Sequence, residues 1–276
     1  MIDENGNYSK SASPPLGQIE PHSPLLNQPA RGQRLYKLMS VENLIRSVEG
    51  SYLHFNRVDH YTDFALADVD DGAELPLDQF SNQTATFEKA PTFSLSDYYA
   101  HSRGRTYACC FSLENSDHIW CNYGCGSLMG QVGLELDFEK LRHRVNAGLA
   151  GDAGLMYGDL RCHQIFSINY GEVTYVDRDT HRANTERAAN PIEYAYLKDA
   201  RFADERELRV TLSAIGMGRF LLANGREIDF SPALQLAFDF RGAIADGTIT
   251  EVLTGATTNV EHLTAELSRL GIGPVS

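Results

Sequence analysis

Two carboxylates at alternate positions of one segment are the strongest chemical signal in this sequence. Residues 205–212 read Glu-Arg-Glu-Leu-Arg-Val-Thr-Leu, and the alternation of polar and apolar side chains predicts a β-strand. Because side chains alternate across a strand, we expect Glu205 and Glu207 on one face and Leu208 on the other. Paired carboxylates suit acid–base chemistry or the stabilisation of a positively charged sugar. The alternative is an exposed edge strand whose carboxylates stay solvated and pair with Arg209.

The cysteines and their neighbouring histidines are the second set of reactive side chains. Cys121 and Cys125 follow His118, and Cys162 directly precedes His163. No Cys-x-x-Cys pair occurs, and the usual four-ligand zinc spacings are absent. We therefore predict no metal site and, for a chain with 5 cysteines, reduced thiols.

Signatures of phosphate binding and of serine hydrolases are poor. Residues 124–130 read Gly-Cys-Gly-Ser-Leu-Met-Gly, one residue too long for the dinucleotide fingerprint. The sequence contains no Gly-Lys-Ser/Thr and no Gly-x-Ser-x-Gly. We interpret 124–130 as a turn.

An acidic stretch lies between residues 57 and 90. It concentrates five carboxylates, at Asp68, Asp70, Asp71, Glu74 and Asp78. The glycine at position 72 comes one place too early for an EF-hand loop, and no Glu stands at the twelfth position. We therefore predict a solvated loop.

Strands and helices alternate irregularly along the rest of the chain. Periodicity and capping residues predict strands at 34–39, 52–55, 106–112, 132–138, 205–212 and 249–255, and helices at 41–49, 139–147 and 260–270. Strands outnumber helices, which favours an α+β fold in one compact domain. Residues 1–30 contain half of the 10 prolines and predict a disordered leader, so the domain should span 31–276.

Composition narrows the class of protein. The 276 residues are 42% hydrophobic and 22% charged, enough to form a sizeable core. A net charge of -13 disfavours non-specific nucleic-acid binding as the main activity. The sequence has no apolar run of the length that a membrane span needs and no secretion signal near its start, so we predict a cytoplasmic protein without membrane contact.

Several short blocks together resemble a broad bacterial domain family of unknown function. The blocks are Leu35-Tyr36-Lys37, Phe111-Ser112, Trp120 to Tyr123, the Glu-x-Glu-x-Arg at 205–209, and Val252 to Gly255. They cover most of residues 34–271. The Asn-Asp-Pro-Phe of that family is missing, and Asp63-Phe64 is its nearest remnant.

The order of these blocks in turn resembles the ADP-ribosyltransferase superfamily. That resemblance implies split antiparallel sheets with flanking helices and a cleft that holds NAD as substrate. It also implies a role for each matching residue: Arg34 contacts the phosphates or ribose of NAD, Ser112 supports the site, Glu207 is the catalytic carboxylate, and Glu205 orients the acceptor. Tyr36, Tyr61 or Tyr123 would pack against the nicotinamide ring.

The implied activity fits these residue types. Cleavage between nicotinamide and ribose builds positive charge on the sugar, which a fixed carboxylate stabilises. The resemblance implies a bacterial toxin or anti-phage factor that modifies a protein or nucleic acid and has a neutralising partner protein. A non-catalytic binding or regulatory module, or a nucleotide hydrolase or phosphotransferase, remains open. The enzyme hypothesis requires Glu207 to face Arg34 across a groove.

Overall fold

The computed structural model describes residues 26–61, 68–150, 155–158, 160–161, 166–183, 191–214, 220–222 and 224–273. Residues 1–25 of the predicted leader lie outside the described residues. Its last part, 26–30, is described and begins in the protein interior, where Leu26 is buried against Ile192 and Tyr196. Leu26 thus packs with the fold ahead of the expected boundary at residue 31.

The described residues form one mixed α+β fold, which confirms the predicted class. The strands are β1 Arg34–Ser40, β2 Tyr52–Arg57, β3 Thr86–Phe87, β4 Ala90–Ser94, β5 Thr106–Ser112, β6 Gln131–Asp137, β7 Leu155–Tyr157, β8 Leu160–Arg161, β9 Phe166–Glu172, β10 Thr174–Val176, β11 Leu197–Asp199, β12 Glu207–Ala214, β13 Phe220–Leu221, β14 Glu227–Ile228, β15 Ala233–Ala237 and β16 Ile249–Thr254. The α-helices are α1 Val41–Gly50, α2 Pro76–Asn82, α3 Leu95–Arg103, α4 Asp117–Asn122, α5 Phe138–Ala150, α6 Phe240–Ala245 and α7 Val260–Arg269. Short 3₁₀ helices cover Val58–His60, Pro191–Tyr196 and Ala200–Glu205.

Helix α1 begins where its capping residue predicts. The Ser40 side chain accepts a hydrogen bond from the Asn43 backbone N–H, satisfying a donor that the first turn leaves free. The helix includes Gly50, and the left-handed residue that ends it is Ser51, with φ 52°. Helix α1 therefore connects β1 to β2, and both of these strands run antiparallel to β5.

The described strands include a ten-stranded antiparallel sheet that forks at β5. Its order is β16-β6-β1-β5-β2-β15-β7-β8, with β12 paired to β5 and to β9. Strand β12 occupies one edge of β5 along its whole length, so β1 and β2 share the other edge. There β1 pairs only at Ser112, while β2 pairs only at Tyr107 and Ala108. A gap therefore opens beside the middle of β5.

The main core lies on one face of this sheet. The apolar residues of β12, Leu208, Val210 and Leu212, pack there with Leu141 of α5 and Leu263 of α7. Leu208, Val210 and Leu212 alternate along the strand, as their sequence pattern predicts. The opposite face of β12 carries its polar side chains, Glu207, Arg209 and Thr211.

The acidic stretch is not the solvated loop that its composition predicts. Asp68, Asp71 and Asp78 are 3%, 2% and 4% exposed, and helix α2 lies within the stretch. Asp78 accepts hydrogen bonds from the Ala183 backbone N–H and the Tyr194 hydroxyl. Charge density alone could not distinguish these buried, paired acids from solvated ones.

No described helix has the length and apolar character needed to cross a membrane.

Candidate functional site

A cavity of about 510 Å³ lies at the fork of the sheet. Its walls come from β1, α1, β2 and the middle of β5, and its floor from the segments around Asp71, Lys198 and Glu207. The volume lies within the range of small-molecule and cofactor sites.

Three of the predicted site residues occupy one row across the sheet. Tyr36 of β1 is paired with Ser112 of β5, and Ser112 is paired with Glu207 of β12. Directly paired residues of antiparallel strands point to the same face, so these side chains stand side by side. All three line the cavity.

Glu205 reaches the same cavity by a route that strand alternation did not predict. Strand β12 begins only at Glu207, and Glu205 ends the preceding 3₁₀ helix. Between them Arg206 adopts the left-handed conformation, with φ 45°. The expected single strand face with both carboxylates is therefore wrong, although a turn brings the two carboxylates to a shared partner.

That shared partner is the ammonium group of Lys198. Its Nζ donates to Oε2 of Glu205 and lies 3.3 Å from Oε2 of Glu207. The other oxygen of Glu205, Oε1, accepts a 2.7 Å hydrogen bond from the Tyr123 hydroxyl. Tyr123, which we predicted to bind the cofactor, thus lines the cavity, and its hydroxyl is a hydrogen-bond donor to Glu205.

Arg209 holds the second side of the network. Its Nε donates to Oε1 of Glu207 at 2.8 Å, and its Nη1 and Nη2 contact both oxygens of Asp71 at 2.6 and 2.8 Å. Nη1 also donates to the Ala195 carbonyl, and Nη2 to Oε2 of Glu207. The guanidinium thus uses both of its edges, and Arg209 is only 1% exposed. The alternative of a solvated edge strand is wrong, because β12 is buried between β5 and β9.

The three carboxylates of this network differ in proton affinity. Burial would raise the pKa of Glu207, but Arg209 and Lys198 outweigh it and hold that pKa well below its usual value. Burial raises the pKa of Glu205 despite the opposing effect of Lys198, and it raises the pKa of Asp71 despite Arg209. Three buried acids share two cations, so Glu207 is the group that stays ionised most firmly.

Ser112 supports the site from behind Glu207. Its Oγ lies 2.9 Å from the carbonyl oxygens of Glu114 and Glu205. The contact with the Glu205 backbone fixes the end of the 3₁₀ helix against β5. Ser112 is therefore in a position to orient the chain between the two carboxylates.

Arg34 is not part of this cavity. Its side chain is 44% exposed, and its guanidinium lies 3.7 Å from Glu135 and 3.8 Å from Asp137 of the neighbouring strand β6. Arg34 lies on the same face of β1 as Tyr36, two residues earlier in the strand, and is not among the residues that line the cavity. The expected opposition of Arg34 and Glu207 across a groove is therefore not found.

Other cations that the sequence did not single out line the cavity instead. Lys37 of β1 donates to the Cys110 carbonyl and lies over the Phe111 ring. Arg46 projects from α1 and is exposed, with a long contact to Asn43. No motif marks Lys198, Arg46 or Asp71, because each is brought to the site by tertiary packing alone.

Thiol and metal chemistry have little support in this site. Burial and the Glu207 carboxylate raise the pKa of Cys110 well above its usual value, so this thiol is protonated. Within the described ranges, no group of three His, Cys, Asp or Glu side chains could hold a metal ion. Cys162 and His163, considered above as zinc ligands, lie outside the described residues, as do Asp63 and Phe64.

The segment 124–130 is the turn that its glycines predict. Gly124, Gly126 and Gly130 all have positive φ. A side chain on Gly124 would meet the Met39 backbone within 2.7 Å, at the wall of the cavity. Glycine here lets the turn close against β1.

No protein-family model, curated protein or solved structure matches this chain.

Proposed function

We propose that this protein is an NAD-dependent enzyme of the ADP-ribosyltransferase type, with NAD bound as substrate in the cavity at the fork. The observation that carries the proposal is the row of Tyr36, Ser112 and Glu207, with an ionised carboxylate at its inner end. The fork in the sheet supports the proposal, because the resemblance implies split antiparallel sheets with a cleft between them. The proposal also rests on the sequence blocks described above.

The charges lining the cavity fit NAD. The lining as a whole has four carboxylates, Asp68, Asp71, Glu205 and Glu207, and four cations, Lys37, Arg46, Lys198 and Arg209. Around Glu207, three of these carboxylates share the two cations Lys198 and Arg209, and this local arrangement suits the cationic nicotinamide ring and ribose. Because Arg34 does not face Glu207, the proposal needs another cation for the diphosphate, and we assign that role to Arg46 on the exposed side of α1.

The chain's residues have separate roles in the proposed reaction. NAD supplies a C–N bond whose electron pair leaves with neutral nicotinamide, while the acceptor nucleophile bonds to the ribose carbon and loses a proton. Glu207 stabilises the positive charge that develops on the ribose. Tyr36 stands at the other end of the row, beyond Ser112, and packs against the ring. Glu205 orients the acceptor when the acceptor replaces the Tyr123 hydroxyl at Oε1.

The test is release of nicotinamide from NAD by the purified protein and by the Glu207→Gln variant. Loss of the negative charge should lower the turnover rate by about 100-fold or more, since such electrostatic contacts contribute on that scale. Glu266→Gln is the control, because Glu266 is also paired with an arginine, Arg269, but lies on α7 outside the cavity lining. Thermal unfolding of each variant separates lost chemistry from lost fold.

Unchanged turnover in a folded Glu207→Gln protein would remove Glu207 from the reaction. Absence of nicotinamide release from the wild-type protein, with every acceptor class tried, would remove the transferase proposal. Phosphate release in its place would favour a nucleotide hydrolase or phosphotransferase.

A non-catalytic binding or regulatory module is the second candidate. The observation that favours it is the saturation of Glu207, whose two oxygens already contact Arg209 and Lys198. A ligand that stabilises the protein against heat without being consumed would support this module. A macromolecular acceptor, a toxin or anti-phage role, a neutralising partner and a cytoplasmic location rest on the sequence analysis alone.

A further inference from the structure

Asp68 is a buried carboxylate with an unused oxygen in the lining of the main cavity. Its side chain is 3% exposed, and its Oδ1 accepts a 3.0 Å hydrogen bond from the Asp70 backbone N–H. Its Oδ2 has no hydrogen-bond partner within the described part of the chain. A buried polar atom without a partner costs free energy, so such an atom in a cavity wall indicates a place for a ligand donor.

Three of the four cations in the cavity lining are held by other groups, and the fourth, Arg46, lies at the exposed side of α1. Lys198 is bound to Glu205 and Glu207, and Arg209 is shared by Glu207 and Asp71. Lys37 is held by the Cys110 carbonyl. Asp68 is thus the carboxylate of the lining that contacts none of these cations among the described residues, whereas Asp71, Glu205 and Glu207 each contact Lys198 or Arg209.

We propose that Asp68 binds the cationic or N–H-donating group of the cavity's ligand and makes the floor select a positively charged ring over a neutral ring of the same shape. The Asp71 backbone N–H donates to the Asp68 carbonyl, so the selected group would lie near Asp71 and the network of carboxylates around Arg209. The inference deepens the proposed function, on which it rests for the choice of probe: in NAD the group would be the nicotinamide ring.

The test compares two small probes of matched shape. The 1-methylnicotinamide cation and neutral 3-methylbenzamide differ in ring charge but share the amide and the methyl group in the same relative positions. Isothermal titration of the full chain should give at least about tenfold tighter binding of the cation, as one favourable charge contact predicts. In Asp68→Asn the cation should lose this advantage, while binding of the neutral probe should change by less than about twofold.

Asp78→Asn is the matched control. Asp78 is 4% exposed and also has an oxygen without a partner, but it lines neither the main cavity nor the smaller one beside Arg178. This variant should keep the wild-type preference for the cation. Because Asn retains the Oδ1 acceptor for the Asp70 N–H, Asp68→Asn preserves the local turn.

Equal binding of both probes by the wild-type protein, or no binding of either, would overturn the inference without use of any variant. A preference for the cation that persists in Asp68→Asn would overturn the role of Asp68. The outcome is separable from that of the proposed function: selective cation binding without nicotinamide release supports the inference alone, and nicotinamide release without selectivity supports the enzyme alone.

Discussion

At the scale of single residues, the environment separates carboxylates that look equivalent in the sequence. Glu205 and Glu207 are two positions apart and share Lys198, yet the pKa of Glu205 is raised by burial while that of Glu207 is lowered by Arg209 and Lys198 against the effect of burial. The sequence identified both acids. It did not identify Asp71 as the third member, because Asp71 is 138 positions from Arg209 and reaches it only through the fold.

This difference predicts opposite pH dependences for two variants. The pKa of Glu207 in the folded state lies below its usual 4.5, so the ionised carboxylate stabilises the fold at pH values above 4.5. This stabilisation is lost as the pH falls below 4.5 and the carboxylate becomes protonated. The free-energy advantage of wild type over Glu207→Gln should therefore shrink between about pH 6 and pH 3. The folded-state pKa of Asp71 is raised, so the advantage over Asp71→Asn should grow over the same interval. Urea unfolding at several pH values measures both, and a pH-independent difference for Glu207→Gln would contradict the assignment.

At the scale of elements, the regular segments were predictable and their junctions were not. Strands β1, β5 and β6 and helix α7 follow from alternation or helical periodicity, because each has one apolar face. The segment 205–212 shows where this reasoning fails: its pattern continues through Arg206, but the backbone turns there. Nothing in the types of Glu205, Arg206 and Glu207 reports a left-handed residue, which the packing of Glu205 against Lys198 and Ser112 imposes.

The strained turn at Arg206 predicts which substitutions it tolerates. Its side chain makes an exposed 3.3 Å contact with Glu114, which contributes little to stability. Arg206→Gly should therefore leave the free energy of unfolding within about 1 kcal/mol of wild type, since glycine adopts positive φ readily. Arg206→Val should lose about 1–3 kcal/mol, because a β-branched residue resists this conformation. Urea denaturation of the two variants provides the measurement, and equal stability of the valine and glycine variants would show that the turn relaxes.

At the scale of the whole molecule, the fork makes β5 the junction of two half-sheets. One half contains β1, β6 and β16, and the other contains β2, β15, β7 and β8. The first half joins β5 through the single pair of Tyr36 and Ser112. Helix α1 joins the halves covalently from β1 to β2, as α6 does from β15 to β16, and α1 also forms a wall of the cavity. A ligand in the fork therefore touches both halves at once.

This architecture predicts where a bound ligand should slow hydrogen exchange. Saturating NAD should protect peptides that cover β1, α1 and β2. The reason is that β1 and β2 pair with β5 only near its two ends, and a ligand in the gap between them would contact both strands. Peptides from α7 should serve as the internal control, since no residue of that helix lines the cavity. Exchange measured by mass spectrometry with and without NAD gives the comparison. Protection confined to α7, or spread uniformly over the described strands, would place the ligand elsewhere. Only a ligand in the fork would slow exchange in β1 and β2 while leaving the exchange of α7, which packs on the opposite face of the sheet, unchanged.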